Sequence, residues 1–382
     1  MKSIYLDYAA ATPVDKKVLE AIGPYLREEF YNPSATYLAA RSVRKDLEAA
    51  RAQVALCLGA RPAEIIFTAG ATEANNLAIQ GVMRRYPDGE VLISAIEHDS
   101  VLEPAKLFRH KLIPADERGV VDLQKLETAV SDKTVLVSIM LVNNELGTVQ
   151  PISAISKLLN KLSNERKSRG NPLPLYLHTD AAQAGNYLDL HISRLGVDLL
   201  SLNGGKIYGL KQSGALYVRA GVRLEPLVLG GGQEYGLRSG TENVAFAVGL
   251  AAALSQAQKD RQSQSKKIAN LRSDFEEALA EQLPAAIING GSKHRAPHIS
   301  SVTFPGADNE RLMMQLDEAG IQTAVGSACS ASTDEPSHVL RAIGLSEAEA
   351  RSTLRFSFGR FITKDDIKET IAQLVRFTDS TK

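Results

Sequence analysis

Along the first half of the chain, short apolar runs alternate with longer helical patterns, and this alternation is the strongest constraint on what the sequence can fold into. The runs fall at 65–67, 91–93, 135–140, 175–177, 199–202 and 215–218. Each is too short for a buried helix and rich in Val, Ile and Leu, so the pattern predicts an α/β fold with a mainly parallel sheet wrapped by helices. In such sheets ligands settle beyond the carboxyl ends of the strands. The residues that follow each run are therefore where chemistry is sought. From 242 to 283 the sequence reads as one long helix without an interior proline, broken only by a polar, solvated stretch at 259–267. It serves as a connector. Beyond it come a strand at 299–304, a helix at 309–319, strands at 321–325 and 353–358, and a closing helix, which predicts a smaller α+β unit.

A length of 382 residues exceeds one ordinary core, so two domains are expected. With 44% hydrophobic residues, 23% charged and a formal net charge of zero, the chain lacks the basic surplus of an electrostatic nucleic-acid binder. No stretch approaches a membrane span, and the first fifteen residues carry Asp7 and Asp15 where a secretion signal needs an apolar run. No nucleic-acid or membrane partner is expected. Two cysteines, Cys57 and Cys329, cannot build a disulfide framework or a four-cysteine zinc site, which fits a reducing cytoplasm. No resident metal is expected.

Lys206 follows the run at 199–202 and the pair Gly204-Gly205. It admits two readings, a loop lysine or an amine that takes pyridoxal phosphate as a Schiff base. Asp180 ends another run, where a carboxylate could protonate a pyridine nitrogen or simply cap a helix. In Phe67-Thr68-Ala69-Gly70-Ala71-Thr72-Glu73, a strand passes through a small-residue turn into a helix, a geometry whose free N–H groups suit a phosphate. His98 could stack on a ring and move protons, or cap the helix it precedes. Cys329 stands among small and polar residues from Val325 to Pro336, a setting for a reactive thiol, whereas Cys57 lies among apolar neighbours and is assigned no chemistry.

Together these segments resemble the pyridoxal-phosphate cysteine desulfurases, in the group whose catalytic cysteine sits in a long loop. The resemblance spans nearly the whole chain, including Tyr5-Leu6-Asp7-Tyr8-Ala9-Ala10, Asn32-Pro33-Ser34, Gly70-Ala71-Thr72-Glu73-Ala74-Asn75-Asn76, Val142-Asn143-Asn144-Glu145-Leu146-Gly147, Gly230-Gly231-Gly232-Gln233-Glu234, Arg238-Ser239-Gly240-Thr241 and Leu354-Arg355-Phe356-Ser357. It implies the fold-type I architecture. A large domain over 14–245 would carry a seven-stranded, mainly parallel sheet and the cofactor, and a small α+β domain over 1–13 and 246–382 would carry the Cys329 loop. By position it implies Lys206 as the lysine that holds pyridoxal 5'-phosphate, Asp180 on the ring nitrogen, Gln183 near the ring hydroxyl and His98 against the ring. Ala71, Thr72 and Asn203 would hold the phosphate, with Thr241 reaching the cofactor of a second subunit in a homodimer. Asn32, Asn144 and Arg355 would bind L-cysteine, Arg355 through its planar fork. The implied reaction leaves sulfur as a persulfide on Cys329 and releases alanine, with a sulfur-acceptor protein such as an iron–sulfur scaffold as partner; Cys329 could then transiently ligate a cluster.

The chain departs from that group at three places. Gly205 stands where a histidine usually precedes the lysine, Asn203 where serine is usual two positions earlier, and Tyr37 where histidine is common. Two other readings compete: a selenocysteine lyase, whose chalcogen preference these residues do not distinguish, and a non-catalytic scaffold subunit that has lost its cofactor. Retention of Lys206, Asp180, His98 and Cys329 together argues against the second.

Overall fold

The computed structural model describes residues 3–291, 293–326 and 335–379. The chain opens with a two-residue strand, β1 (Ile4–Tyr5), and then builds one large sheet. Its strands are β2 (Ile65–Thr68), β3 (Glu90–Ser94), β4 (His110–Ile113), β5 (Thr134–Ser138), β6 (Tyr176–Asp180), β7 (Leu199–Asn203) and β8 (Gly214–Val218), in the order β2-β8-β7-β6-β5-β3-β4. Every neighbouring pair is parallel except those made by β8, which runs antiparallel to β2 and β7. Consequently β2, β3, β5, β6 and β7 all end at one edge.

Period-two alternation explains why both faces are covered. On β7 and β8, Leu200, Leu202, Ala215 and Tyr217 join one apolar cluster, while Leu199, Leu216 and Val218 join another. The first cluster is roofed by α1 (Lys16–Ile22), α2 (Leu38–Leu58) and later helices; the second by α3 (Ala71–Arg85) and α4 (Asp99–Ala105). To the first belong also α5 (Leu123–Ala129), α6 (Ile152–Ser168), α7 (Ile192–Leu195) and the start of α8 (Val244–Gln282).

At 39 residues, α8 is about 58 Å long at 1.5 Å per residue, and it crosses between two cores. Val244 through Ala257 pack on the large sheet, whereas Ile268, Leu271, Phe275 and Leu279 pack in a second core. Between them the polar stretch at 259–267 is half-buried or exposed. That second core gathers β9 (Ile287–Ile288), β10 (Ile299–Thr303), α9 (Asn309–Glu318), β11 (Ile321–Gln322), β12 (Thr353–Ser357) and α12 (Lys364–Asp379), with α10 (His338–Ala342) and α11 (Glu347–Ala350) alongside. Phe275 anchors it, with ring centroids 4.8 Å from Phe356 and 5.4 Å from Phe358. The N-terminal strand β1 pairs in parallel with β11, so Ile4, Leu6 and Tyr8 belong to this second core.

The two-residue strands β1 and β9 were not expected from the sequence, and two further strands differ from its reading. The edge strand β4 was not expected, because three of its four residues are exposed and it carries no apolar run. The expected strand at 321–325 is shorter: only Ile321–Gln322 pair with β1, after which Ala324 makes an isolated antiparallel bridge to Arg355. Among the described residues, no helix is long and apolar enough to cross a membrane.

The sheet also buries a histidine. His178 on β6 lies fully buried, with Nδ1 2.8 Å from Ser138 Oγ and Nε2 3.0 Å from Ser201 Oγ, and burial drops its pKa to about 3. A histidine with a depressed folded pKa is neutral in the native state while the unfolded chain takes up a proton below about 6.5, so its stabilising contribution is lost as pH falls from about 6.5 toward 3. His178→Gln is expected to lower the pH slope of stability between pH 6 and 4 by about 1.4 kcal/mol per unit, read from urea midpoints.

Candidate active site

The edge where five strand ends converge carries a cleft in which side chains from the turns after all five strands meet. Each strand delivers one wall. After β2 the chain turns at Gly70, whose φ of +90° only glycine adopts readily, and enters α3 at Ala71 and Thr72, which line the cleft. The turn sits so close to the start of β8 that a Cβ on Gly214 would stand 2.6 Å from Gly70 Cα. The first-turn N–H groups of α3 have no helical partner and face an anion favourably.

Lys206 leaves β7 through a single turn and points its ammonium at the N-terminal segment, donating to the carbonyl oxygens of Ala9 at 2.8 Å and Ala10 at 2.5 Å. The same segment is stitched to the lysine loop by Thr12, whose N–H and hydroxyl both donate to Gly205 O at 3.1 Å. A segment from the second core thereby forms part of the lysine's pocket.

Asp180 ends β6, and its Oδ1 caps Ala182 N–H at 2.8 Å. Its Oδ2 accepts from Asn75 Nδ2 at 2.7 Å, and the same Nδ2 donates at 2.8 Å to Ser100 Oγ. Ser100 completes a relay to His98: its N–H donates to Nδ1 at 3.1 Å and its Oγ lies 2.9 Å from the same nitrogen. With donors on Nδ1, neutral His98 keeps its proton on Nε2. Asp180 and His98 both cap local backbone and also line the cleft. Beneath them Glu97 is fully buried. Burial, reinforced by the nearby Asp180, pushes its carboxyl well above the usual range, and its Oε1 accepts Met140 N–H at 2.7 Å.

Arg355, on β12, is 3% exposed rather than a surface ion pair. It donates to Asn144 O at 2.9 Å and to Asp7 Oδ1 at 2.6 Å, and its Nε has no partner among the described residues. Asn144 Oδ1 is likewise buried without a partner among the described residues, and both residues line the cleft. Gln183 donates to Ala9 O at 2.9 Å and faces His298 Nε2 at 3.2 Å. Asn203 Oδ1 accepts Gly205 N–H at 3.0 Å.

The structure thus brings Ala71, Thr72, His98, Asn144, Asp180, Gln183, Asn203, Lys206 and Arg355 to one cleft. It does not bring Asn32, which is exposed and accepts Ser34 N–H at 2.9 Å, nor Thr241, which is exposed outside the cleft. Cys329 lies outside the described residues. Asn75, Ser100, Glu97, Asp7 and the Ala9 and Ala10 carbonyls were missed as site groups in the sequence. A signal for Asn75 existed: it lies four residues after Ala71, on the same helix face. At Gly205 an added Cβ would meet nothing nearer than 3.5 Å, so sterics do not require glycine there. Cys57 is half-buried 3.7 Å from Ser255 Oγ, and burial raises its thiol pKa. Among the described residues there is no cluster of three metal-ligating side chains.

The donor set fits pyridoxal 5'-phosphate. A helix N-terminus suits its phosphate, Asp180 its ring nitrogen and Lys206 its aldehyde, while the unpartnered Asn144 Oδ1 and Arg355 Nε leave polar capacity for an amino-acid ligand. Cleft and fold together define an α/β enzyme of the fold-type I class. Residues 4–370 match the class-V aminotransferase family, and the chain belongs to that family. It is 38% identical to the cysteine desulfurase IscS of Dictyoglomus turgidum, over 99% of this chain and 95% of that protein. It is 39% identical to the cysteine desulfurase of Homo sapiens, over 98% of this chain and 82% of the other. A solved NifS-like protein superposes with a TM-score of 0.90 at 32% identity, over 99% of this chain and all of that one. SspA, solved in complex with cysteine, gives 0.80 at 38% identity, over 94% of this chain and all of that one.

Asn75→Ala should leave Asp180 Oδ2 and Ser100 Oγ without their donor. A loss of about 1–3 kcal/mol in urea stability is expected, together with weaker retention of the cofactor on dialysis, followed by its visible absorbance.

Proposed function

We propose that this chain is a cysteine desulfurase that moves sulfur from L-cysteine to Cys329 as a persulfide and releases L-alanine. The observation that carries the reading is the convergence of Lys206, Asp180, His98 and Arg355 on one cleft, together with relatives named cysteine desulfurase over nearly the full chain. Bound pyridoxal phosphate supplies an electron sink for the substrate's α-carbon. Lys206 holds it covalently through its amine, and Asp180, fixed by Asn75 and Ala182, presents a carboxylate to the ring nitrogen. Ala71, Thr72 and Asn203 cradle the phosphate. Arg355, already committed to Asp7 and Asn144 O, offers its Nε to the substrate carboxylate, and Asn144 Oδ1 offers an acceptor.

In the transfer step the Cys329 thiolate forms an S–S bond as the substrate Cβ–S bond breaks. The bonding pair passes to the substrate carbon framework, which takes up protons to become alanine, and the thiol is oxidised to the persulfide level. His98, whose Nε2 carries a proton, and Lys206 are the groups placed to move protons at the substrate.

The same reading assigns a large cofactor domain at 14–245 and a smaller one at 1–13 and 246–382, supported by the two cores that α8 joins. It makes the chain a cytoplasmic homodimer in which the exposed Thr241 reaches the second subunit's phosphate. Cys329 then hands sulfur to an acceptor protein such as an iron–sulfur scaffold, an exchange in which it could transiently ligate a cluster, and Asn32 stays a substrate contact for the assembled dimer.

Lys206→Ala is expected to abolish the visible absorbance of the bound cofactor. Cys329→Ser should keep that absorbance yet form no persulfide by mass analysis after addition of L-cysteine. Undiminished sulfur transfer by the serine variant would remove Cys329 from the reaction.

A further inference from the structure

Gln183 lies in the turn after β6, close behind Asp180, and its amide is held from both ends. Its Nε2 donates to Ala9 O at 2.9 Å, and its Oε1 lies 3.2 Å from His298 Nε2. A carbonyl oxygen only accepts, so the amide atom beside Ala9 O must be the nitrogen. That leaves Oε1 facing His298, and an acceptor there requires the histidine to carry its proton on Nε2. One N–H of Gln183 is spent on Ala9, and the second is left over on a side chain that lines the cleft.

His298 is 2% exposed and immediately precedes β10, so this contact crosses from the second core to the large sheet. Its ring stacks on Tyr187, with centroids 4.3 Å apart and planes 21° apart, which pins its orientation. Nδ1 is buried without a partner among the described residues. Moving the proton to Nδ1 would set two acceptors face to face, Nε2 against Oε1. Flipping the amide to repair that would set Oε1 against Ala9 O, which already receives Lys206 Nζ at 2.8 Å. Protonating both nitrogens is opposed by burial and by the charges of Arg355 on β12 and Arg272 on α8, which bring the His298 pKa to about 3.

We propose that His298 is a positioning residue for the cofactor: by donating from Nε2 to Gln183 Oε1, it fixes the amide so that Gln183 presents an N–H, never its oxygen, to the ring hydroxyl of pyridoxal phosphate. The proposal rests on the cleft holding that cofactor on Lys206. A donor at the ring oxygen favours the more negative form of the conjugated ring, so it lowers the pH at which the visible absorbance of the bound cofactor changes.

His298→Phe keeps a planar ring against Tyr187 but has no donor. In the cofactor-loaded protein it is expected to raise the pH midpoint of the visible absorbance by about one unit, the effect of one ordinary hydrogen bond. Gln183→Ala should raise it by about as much, and the double variant no further, because both break one chain of contacts. His298→Gln, which restores a donor, should bring the midpoint back to that of the unmutated protein. Nitrogen-15 NMR of the cofactor-loaded protein labelled at histidine should show His298, identified by the signal lost in His298→Phe, with its proton on Nε2 between about pH 5 and 9. A midpoint unmoved in either single variant, or a proton on Nδ1, would overturn the proposal. If His298→Phe does not fold, the His298 signal is identified by its displacement in Gln183→Ala, and the proton's position and the Gln183→Ala midpoint decide. An unmutated protein that gains no visible absorbance from pyridoxal phosphate would defeat the cofactor reading instead, and the proton's position would still judge the hold of His298 on Gln183.

Discussion

Parallel strand pairing is the constraint on which the rest of this molecule depends. Because β2, β3, β5, β6 and β7 all run the same way, the turns after them open at one edge of the sheet. Residues far apart in the chain, from Ala71 to Lys206, thereby become neighbours. The one reversed strand, β8, begins at that edge, and its first residue, Gly214, has no side chain so that the Gly70 turn can lie against it.

A second layer of dependence runs through the N-terminal segment. It starts in the second core, pairs with β11, then crosses to the large sheet, where Ala9 and Ala10 receive the Lys206 ammonium and Asp7 receives Arg355. Arg355 itself stands on β12 in the second core. An ion pair this buried adds little net stability compared with an apolar substitute, but losing one partner strands a charge, so it enforces geometry more than it strengthens the fold. The hydrogen-bonded relay from Asp180 through Asn75 and Ser100 to His98 works similarly: one amide group orients both an acid and an imidazole, and Glu97 lies fully buried below, its carboxyl pushed well up by burial.

Much of this was legible in the chain because the signals are local. The apolar runs that became β2, β3, β5, β6, β7 and β8 are buried on both faces and so carry continuous Val, Ile and Leu, and α8 announces itself by length. The edge strand β4 was not legible, since His110, Lys111 and Leu112 face solvent and form no apolar run. Lys206, Asp180, Ala71, Thr72 and His98 could be found because each follows a strand. Ser100 and Glu97 could not be singled out, because their importance lies in contacts with partners that sequence order does not reveal.

Taken alone, the sequence determined the α/β class, the long connecting helix and the strand-end positions of the reactive side chains, because periodicity and turn chemistry act over a few residues. Only the tertiary structure decided that Arg355 would be buried against Asp7, that Lys206 would lean on Ala9 and Ala10, and that Glu145 would meet Ser337. Those contacts join residues at least half the chain apart, and they exist only once two cores have packed.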